Sequence, residues 1–291
     1  MKSRLVFLAL MLVGATGLFF RLTAAPGPAP VPVHKIDLAN GENIYHIGGC
    51  ISCHQAPENA KVPSGGKALK TPVGIFYPPN LTPDAETGLG NWTEAQFINA
   101  VQWGASPDGK NYIPAFPYVS YHRMNTSDVQ DLFAYLKSLP PVKSEAKAPE
   151  IFGEWFVRRA MGLWNRLALK PMPKPDPSQT ASWNKGRYLV MGPGHCVECH
   201  TPRNLLMMSD MSRNLEGGPH PEGKGNVPSL HKLISSGEYS DASDLAMAFS
   251  MGEMGGYDNM ASGGMAEVRS NIEQLPDEDI QAISEYLASL N

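Results

Sequence analysis

The chain has 291 residues, with 24 basic and 28 acidic side chains, 28 glycines, 26 prolines and four cysteines. A formal charge of −4 excludes the strongly basic class that grips nucleic acid through its phosphates. The Gly and Pro content implies a loop-rich chain with short helices, and the length implies about two domains.

The chain opens Met1-Lys2-Ser3-Arg4, stays apolar from Leu5 to Phe20, and closes that run with Arg21 ahead of Thr23-Ala24-Ala25. A basic start, about sixteen apolar residues and a small-residue end describe an export signal over residues 1–25, cleaved near Ala25. The alternative is an uncleaved membrane anchor, although a spanning helix wants roughly 20 apolar residues. Residues 26–35 follow as a Pro-rich tether that is stiff and extended.

Residues 36–141 make the first folded unit. Asp37 or Asn40 caps a helix through Ile44-Tyr45-His46-Ile47, and Gly48-Gly49 stops it just before Cys50. Lys61 to Leu81 reads as a Pro/Gly-rich loop, and residues 81–88 as a turn-rich segment. Asp84 and Glu86 lack the EF-hand spacing, so they read as solvated loop residues in preference to calcium ligands. Thr93-x-x-Gln96 is a capping box for a helix with Phe97, Ala100 and Val101 on one face. The closing helix opens at Ser127-Asp128 and buries Val129, Leu132, Phe133, Leu136 and Leu139 before Pro140-Pro141 ends it.

Residues 142–181 connect this unit to the next. Phe152, Trp155, Phe156, Met161 and Trp164 are too apolar for a free linker, and Arg158, Arg159, Arg166 and Lys170 make the segment basic and amphipathic. Such a segment either clamps its two neighbours together or docks on a membrane surface or a partner protein. Pro171-Met172-Pro173-Lys174-Pro175 then acts as a rigid spacer.

Residues 182–291 repeat the plan of the first unit. Ser182 caps a helix through Tyr188-Leu189-Val190, and Gly192-Pro193-Gly194 breaks it before Cys196. A helix over 277–290 echoes the earlier closing helix: Asp128-Val129-Gln130 matches Asp279-Ile280-Gln281, and Tyr135-Leu136 matches Tyr286-Leu287. The cysteine stretches lie 146 residues apart and the closing helices 151, the spacing of an internal duplication.

Cys50-Ile51-Ser52-Cys53-His54 and Cys196-Val197-Glu198-Cys199-His200 both read C-x-x-C-H and use all four cysteines. At this spacing two thiols reach the vinyl groups on one edge of a haem, and the next histidine takes the iron. A zinc site would want two C-x-x-C pairs roughly 15–20 residues apart, or a following H-x(3–5)-H, and neither occurs. A disulfide scaffold is also a poor fit for vicinal pairs. The expectation is two covalently bound haem c groups, held by Cys50, Cys53 and His54 and by Cys196, Cys199 and His200. Haem is attached to this motif outside the bacterial cytoplasm, which agrees with export to the periplasm. Loss of residues 1–25 leaves 21 basic against 28 acidic residues, a formal −7. Such a surface suits a redox partner with a basic patch.

In each unit the order is helix, C-x-x-C-H, loops, middle helix, loops, closing helix. The sequence resembles the multihaem cytochrome c subunits of membrane-bound periplasmic dehydrogenases, such as the alcohol and gluconate dehydrogenase complexes. In the first unit the matching stretches are Asn80-Leu81-Thr82-Pro83-Asp84 with Glu86-Thr87-Gly88 and Trp92, and Pro114-Ala115-Phe116-Pro117-Tyr118. In the second they are Gly194-His195-Cys196 with Cys199-His200-Thr201-Pro202-Arg203-Asn204, and Gly264-Met265-Ala266-Glu267-Val268. Those subunits often carry three haems, whereas this chain has two motifs.

A methionine opposite the histidine would stabilise ferrous iron. For the second haem the candidates are Met251, Met254, Met260 and Met265, and the resemblance selects Met265. Met207, Met208 and Met211 follow His200 too closely and read as packing. For the first haem the resemblance implies a methionine where Phe116 stands here. Met124 is then a ligand or a core residue, and His122 is the other candidate. His46 and His195, beside the attachment sites, read as propionate or surface contacts.

The resulting expectation is a mainly α protein of two tandem cytochrome c-like haem domains joined by an aromatic-rich connector. Its function would be to carry single electrons from a periplasmic dehydrogenase subunit to quinone or a terminal oxidase, without being an enzyme itself. It would face the periplasm, with membrane association through the N-terminus or the connector. The competing reading is a dihaem enzyme, peroxidase-like or acting on a small sulfur compound, with one open haem site.

Overall fold

The computed structural model describes residues 2–71, 73–220, 225–251 and 263–290. Helix α1 covers Lys2–Thr23. After the tether come α2 (Leu38–Ile47), α3 (Cys50–His54), the hairpin strands β1 (Leu69–Thr71) and β2 (Gly74–Phe76), α4 (Glu94–Trp103), α5 (Tyr118–Tyr121) and α6 (Thr126–Ser138). The connector holds α7 (Glu154–Ala168). Then follow α8 (Ala181–Met191), α9 (Val197–His200), the short pair β3 (Gly218–Pro219) and β4 (Asn226–Val227), α10 (Ala242–Met251), α11 (Gly263–Ile272) and α12 (Asp277–Ala288). The chain is mainly helical, and its described sheets are two-stranded antiparallel ribbons. Among the described residues no helix is long and apolar enough to cross a membrane.

Local chemistry sets most helix starts. The Asp37 carboxylate accepts from the Ala39 and Asn40 amides, and Asn40 lies inside the helix that Asp37 opens. Thr93 and Gln96 form a reciprocal capping box on α4. Two features differ from what the sequence suggests. Helix α8 is capped by Thr180, whose hydroxyl accepts from the Trp183 amide at 2.9 Å, so Ser182 falls inside the first turn. Within residues 61–81, Leu69 pairs with Phe76 and Thr71 with Gly74, where only a loop was expected. In the turn segment, Asp84 accepts from the Glu86 and Thr87 amides and the Thr87 hydroxyl, which occupies its carboxylate locally.

The first and last helices of each half cross where the first has no side chain. A Cβ on Gly41 of α2 would sit 2.2 Å from the carbonyl oxygen of Asp131 in α6 and 2.9 Å from Tyr135 Cβ. A Cβ on Gly186 of α8 would sit 1.9 Å from the carbonyl oxygen of Ala282 in α12 and 3.0 Å from Tyr286 Cβ. The same glycine–tyrosine crossing therefore occurs twice, and Tyr135 and Tyr286 also meet an aromatic of the first helix (Tyr45 at 5.4 Å, Trp183 at 5.2 Å). This is the spatial form of the duplication read from the echoing helices.

The apolar faces of these helices merge into one core running through both halves, from Ile44, Phe97 and Leu136 to Leu189, Leu245 and Ile283. The connector helix touches both halves: Asn165 accepts from Tyr118 Oη at 2.8 Å, and Trp164 Nε1 donates to the Leu206 carbonyl at 2.8 Å.

Gly186→Ala places a methyl group inside backbone contact distance, and the crossing has to open to admit it. The expected cost is about 1–3 kcal/mol, read as a lower midpoint in urea unfolding of the haem-loaded protein.

Candidate haem-attachment sites

Each cysteine pair lies on a single helical turn that a sharp bend delivers. Gly48-Gly49 ends α2, with Gly49 in the left-handed region at φ 56°, and Cys50 begins α3 at once. In the second half the bend falls on His195, a non-glycine residue at φ 41°, directly before Cys196. No disulfide joins any of the four cysteines. Burial pushes the Cys50 and Cys196 thiols up to about 12, with the neighbouring Cys53 and Cys199 adding to the rise. Among the described residues, neither pair is joined by further His, Cys, Asp or Glu side chains in a metal-holding cluster.

The histidines are held alike. His54 Nδ1 donates to the Pro79 carbonyl at 2.7 Å, and His200 Nδ1 donates to the Pro228 carbonyl at 2.9 Å. A carbonyl only accepts, so Nδ1 carries the proton in both rings and Nε2 keeps its lone pair. Burial holds both rings in the neutral form, lowering His54 to about 4 and His200 in the same direction. The histidine carbonyls are fixed as well: His54 accepts from the Gly65 amide and His200 from the Gly217 amide, both at 2.7 Å. Gly65 (φ 78°) and Gly217 (φ 76°) lie so close to the proline-bearing segment opposite that a Cβ would come within 2.4 Å and 2.6 Å of its backbone. Sequence reasoning missed these Gly-Gly and Pro residues. The signal was present as Gly65-Gly66 and Gly217-Gly218, each downstream of a C-x-x-C-H. This cradle suits the group that the motif calls for: each half offers two thiols and one neutral, pre-oriented imidazole nitrogen.

The sixth-ligand candidates fall in different settings. Met124 is 5 % exposed and belongs to the main core, to whose edge Cys50 and Ile51 also pack. His122 Nδ1 donates to the Gln102 carbonyl at 2.8 Å, and its ring packs T-shaped against Trp103 at 4.6 Å. Phe116 packs among Tyr112, Tyr118 and Tyr121. Met265 lies near the start of α11, partly buried against the main core. Met251 is exposed at the end of α10, and Met254 and Met260 lie outside the described residues. Of the three methionines expected to pack, Met208 and Met211 do, whereas Met207 is exposed at a left-handed bend.

The two attachment segments face each other. The Gly48 carbonyl accepts from Tyr121 Oη at 2.9 Å and from His195 Nε2 at 3.2 Å, so one oxygen two residues before Cys50 touches the residue before Cys196. His195 thus makes a contact between the halves. Glu198, inside the second C-x-x-C-H, accepts from Ser120 at 2.6 Å and pairs with Arg203 at 2.7 Å. Asn271 of α11 donates to Ser52 Oγ at 2.8 Å. The buried Arg123 donates to the Met191 carbonyl at 3.2 Å.

Duplicated helix crossings, twin thiol pairs and matched histidines define a c-type cytochrome with two haem units. A family model described as cytochrome c matches residues 38–140. The chain is 41% identical to a dihaem cytochrome c-type protein of Cereibacter sphaeroides over 98% of this chain and 97% of that one. It is 37% identical to one of the subunits of the nicotinate dehydrogenase of Pseudomonas putida, and 33% identical to the fructose dehydrogenase cytochrome subunit of Gluconobacter japonicus. These matches cover 98% and 90% of this chain but 24% and 54% of those proteins. The chain belongs to the cytochrome c family, as a dihaem electron carrier with two covalently bound haem c groups.

Glu198→Ala removes the acceptor of Ser120 and the partner of Arg203 together. We expect a loss of about 2–4 kcal/mol in unfolding free energy with both haems still attached, measured by denaturant titration followed at the haem band.

Proposed function

We propose that Cys50 and Cys53 bind one haem and Cys196 and Cys199 the other, with His54 and His200 as the iron ligands. The observation that carries this assignment is the repeated Nδ1–H to proline carbonyl bond, which leaves the same nitrogen lone pair available in both halves. When bound, each haem iron accepts and releases one electron. The chain's own residues hold each imidazole at a fixed orientation, with His200 buried and His54 half-buried. Met265 is the sixth ligand of the second haem. Met124 would be that of the first, because it is buried in the core to whose edge Cys50 and Ile51 pack.

On this reading electrons enter from the catalytic subunit of a dehydrogenase, pass between the facing attachment segments, and leave to quinone or a terminal oxidase. The support for a dehydrogenase partner is the naming of the relatives, several of which are cytochrome subunits of alcohol, fructose or gluconate dehydrogenases. The first folded unit runs over 36–141 and the second over 182–291, with 142–181 between. Export to the periplasmic side is supported by the basic, then apolar, N-terminal sequence.

Intact mass should exceed the polypeptide by two haem groups, and a colourless protein would overturn the assignment. The oxidised protein should show two low-spin haems. Met124→Leu should remove roughly half of the sulfur-to-iron charge-transfer band and lower one of the two potentials, since one of two Met/His haems is affected. His122→Leu should leave both unchanged. A high-spin haem in the unsubstituted protein that binds cyanide or peroxide would favour the dihaem enzyme instead.

A further inference from the structure

Helix α11 has two working faces. Met265, Val268 and Ile272 recur at helical spacing and pack with the main core. Glu267 and Asn271, four residues apart, fall on the opposite side and reach into the first half. Both lead to Ser52, the residue directly before Cys53 in the first C-x-x-C-H. Asn271 is buried, and its Nδ2 donates to Ser52 Oγ at 2.8 Å and to the Glu267 carbonyl of its own helix at 2.7 Å. Lys67 Nζ donates to the Ser52 carbonyl at 2.7 Å and reaches Glu267 Oε1 at 3.3 Å. The Lys67–Glu267 pair is open to solvent and contributes little, so the buried amide sets the register of the helix.

The same contact recurs in mirror image. Glu198 occupies in the second motif the place that Ser52 has in the first, and it accepts from Ser120 of the first half at 2.6 Å. Ser120 is fully buried and lies one turn before Met124: its carbonyl accepts from the Arg123 amide, and the Tyr121 carbonyl accepts from the Met124 amide, both at 3.0 Å. In both directions, then, the segment that bears one half's candidate methionine is hydrogen-bonded to the cysteine turn of the other half. Neither turn is free to follow a moving partner. The Ser52 amide donates to the Gly49 carbonyl at 3.0 Å and its carbonyl also accepts from Gln55, while Glu198 is paired with Arg203. A rotation of α11 that withdrew Met265 would therefore strip Asn271 from Ser52, since the two faces of a helix turn together.

We propose that Ser52 and Glu198 are positioning residues for the sixth ligand of the opposite haem, so that each attachment turn steadies the methionine of the other site and the two sites are coupled. This rests on Met265 and Met124 as the ligands. The test uses the full chain carrying both haems, with Met265→Leu and Met124→Leu identifying which potential belongs to which haem. Imidazole, which competes with methionine for ferric iron, is titrated into the oxidised protein while the sulfur-to-iron charge-transfer band is followed. Ser52→Ala lies in the first motif, yet it should let imidazole bind the second haem about fivefold more tightly, the effect of one lost hydrogen bond, and lower that haem's potential. Asn271→Leu, at the other end of the bond, should match it, the two together should add little to either alone, and Ser52→Thr, which keeps the hydroxyl, should behave as the unsubstituted protein. Glu198→Ala should shift the first haem likewise. In a Met265→Leu background Ser52→Ala should change neither imidazole binding nor potential at the second haem. Shifts confined to the haem of the substituted motif, or additive effects of Ser52→Ala and Asn271→Leu, overturn the coupling and leave the ligand assignments standing. If Met265→Leu leaves both potentials unchanged, the ligand assignment fails and this inference falls with it.

Discussion

Backbone resting on backbone, at Gly41 and again at Gly186, is the constraint on which the rest of the architecture depends. With no Cβ between them, the opening and closing helices of each half approach until carbonyl oxygens line the contact. That approach fixes where the opening helix ends, and the cysteine turn begins within a few residues of its end. The position of each thiol pair is therefore set by a helix crossing about ten residues upstream of it, not by the loops around it.

The second fixed element is the imidazole. Each ring is gripped on one side by a proline carbonyl, and its own carbonyl is gripped by a glycine amide that reaches in from a left-handed turn. Proline has no amide hydrogen to compete for nearby acceptors, and glycine alone tolerates both the torsion and the closeness. The two halves reach the same result with different intervening loops. The first uses a hairpin after its Gly-Gly pair, and the second uses the short pairing of Gly218 with Val227.

Much of this was legible in the sequence because it rests on short-range rules. Asp37 and the Thr93–Gln96 box announced their helices, and the repeated closing helix announced the duplication. Thr180 was missed because two neighbouring hydroxyl residues, Thr180 and Ser182, compete for one cap, and only the turn geometry chooses between them. The hairpin at 69–76 was hidden by a proline and a glycine that punctuate strands as readily as loops. The proline carbonyls holding the histidines, and the contact of His195 with Gly48, join residues far apart in the chain, and no local pattern encodes such pairings. Met124 and His122 stand two residues apart, and what separates them is packing: Met124 is buried in the core to whose edge Cys50 packs, whereas the His122 ring lies against Trp103 of α4.

The Gly48 oxygen takes hydrogen bonds from Tyr121 in its own half and from His195 in the other. Electron tunnelling decays exponentially with the gap it crosses, so a loose hinge between two cofactors would spread the rate over a wide range. A single acceptor shared by donors from both halves tolerates little sliding before one bond is lost. The hop from one porphyrin to the next would then have one narrow span of lengths, and its speed would be a property of the assembled polypeptide and not of chance encounters between swinging lobes.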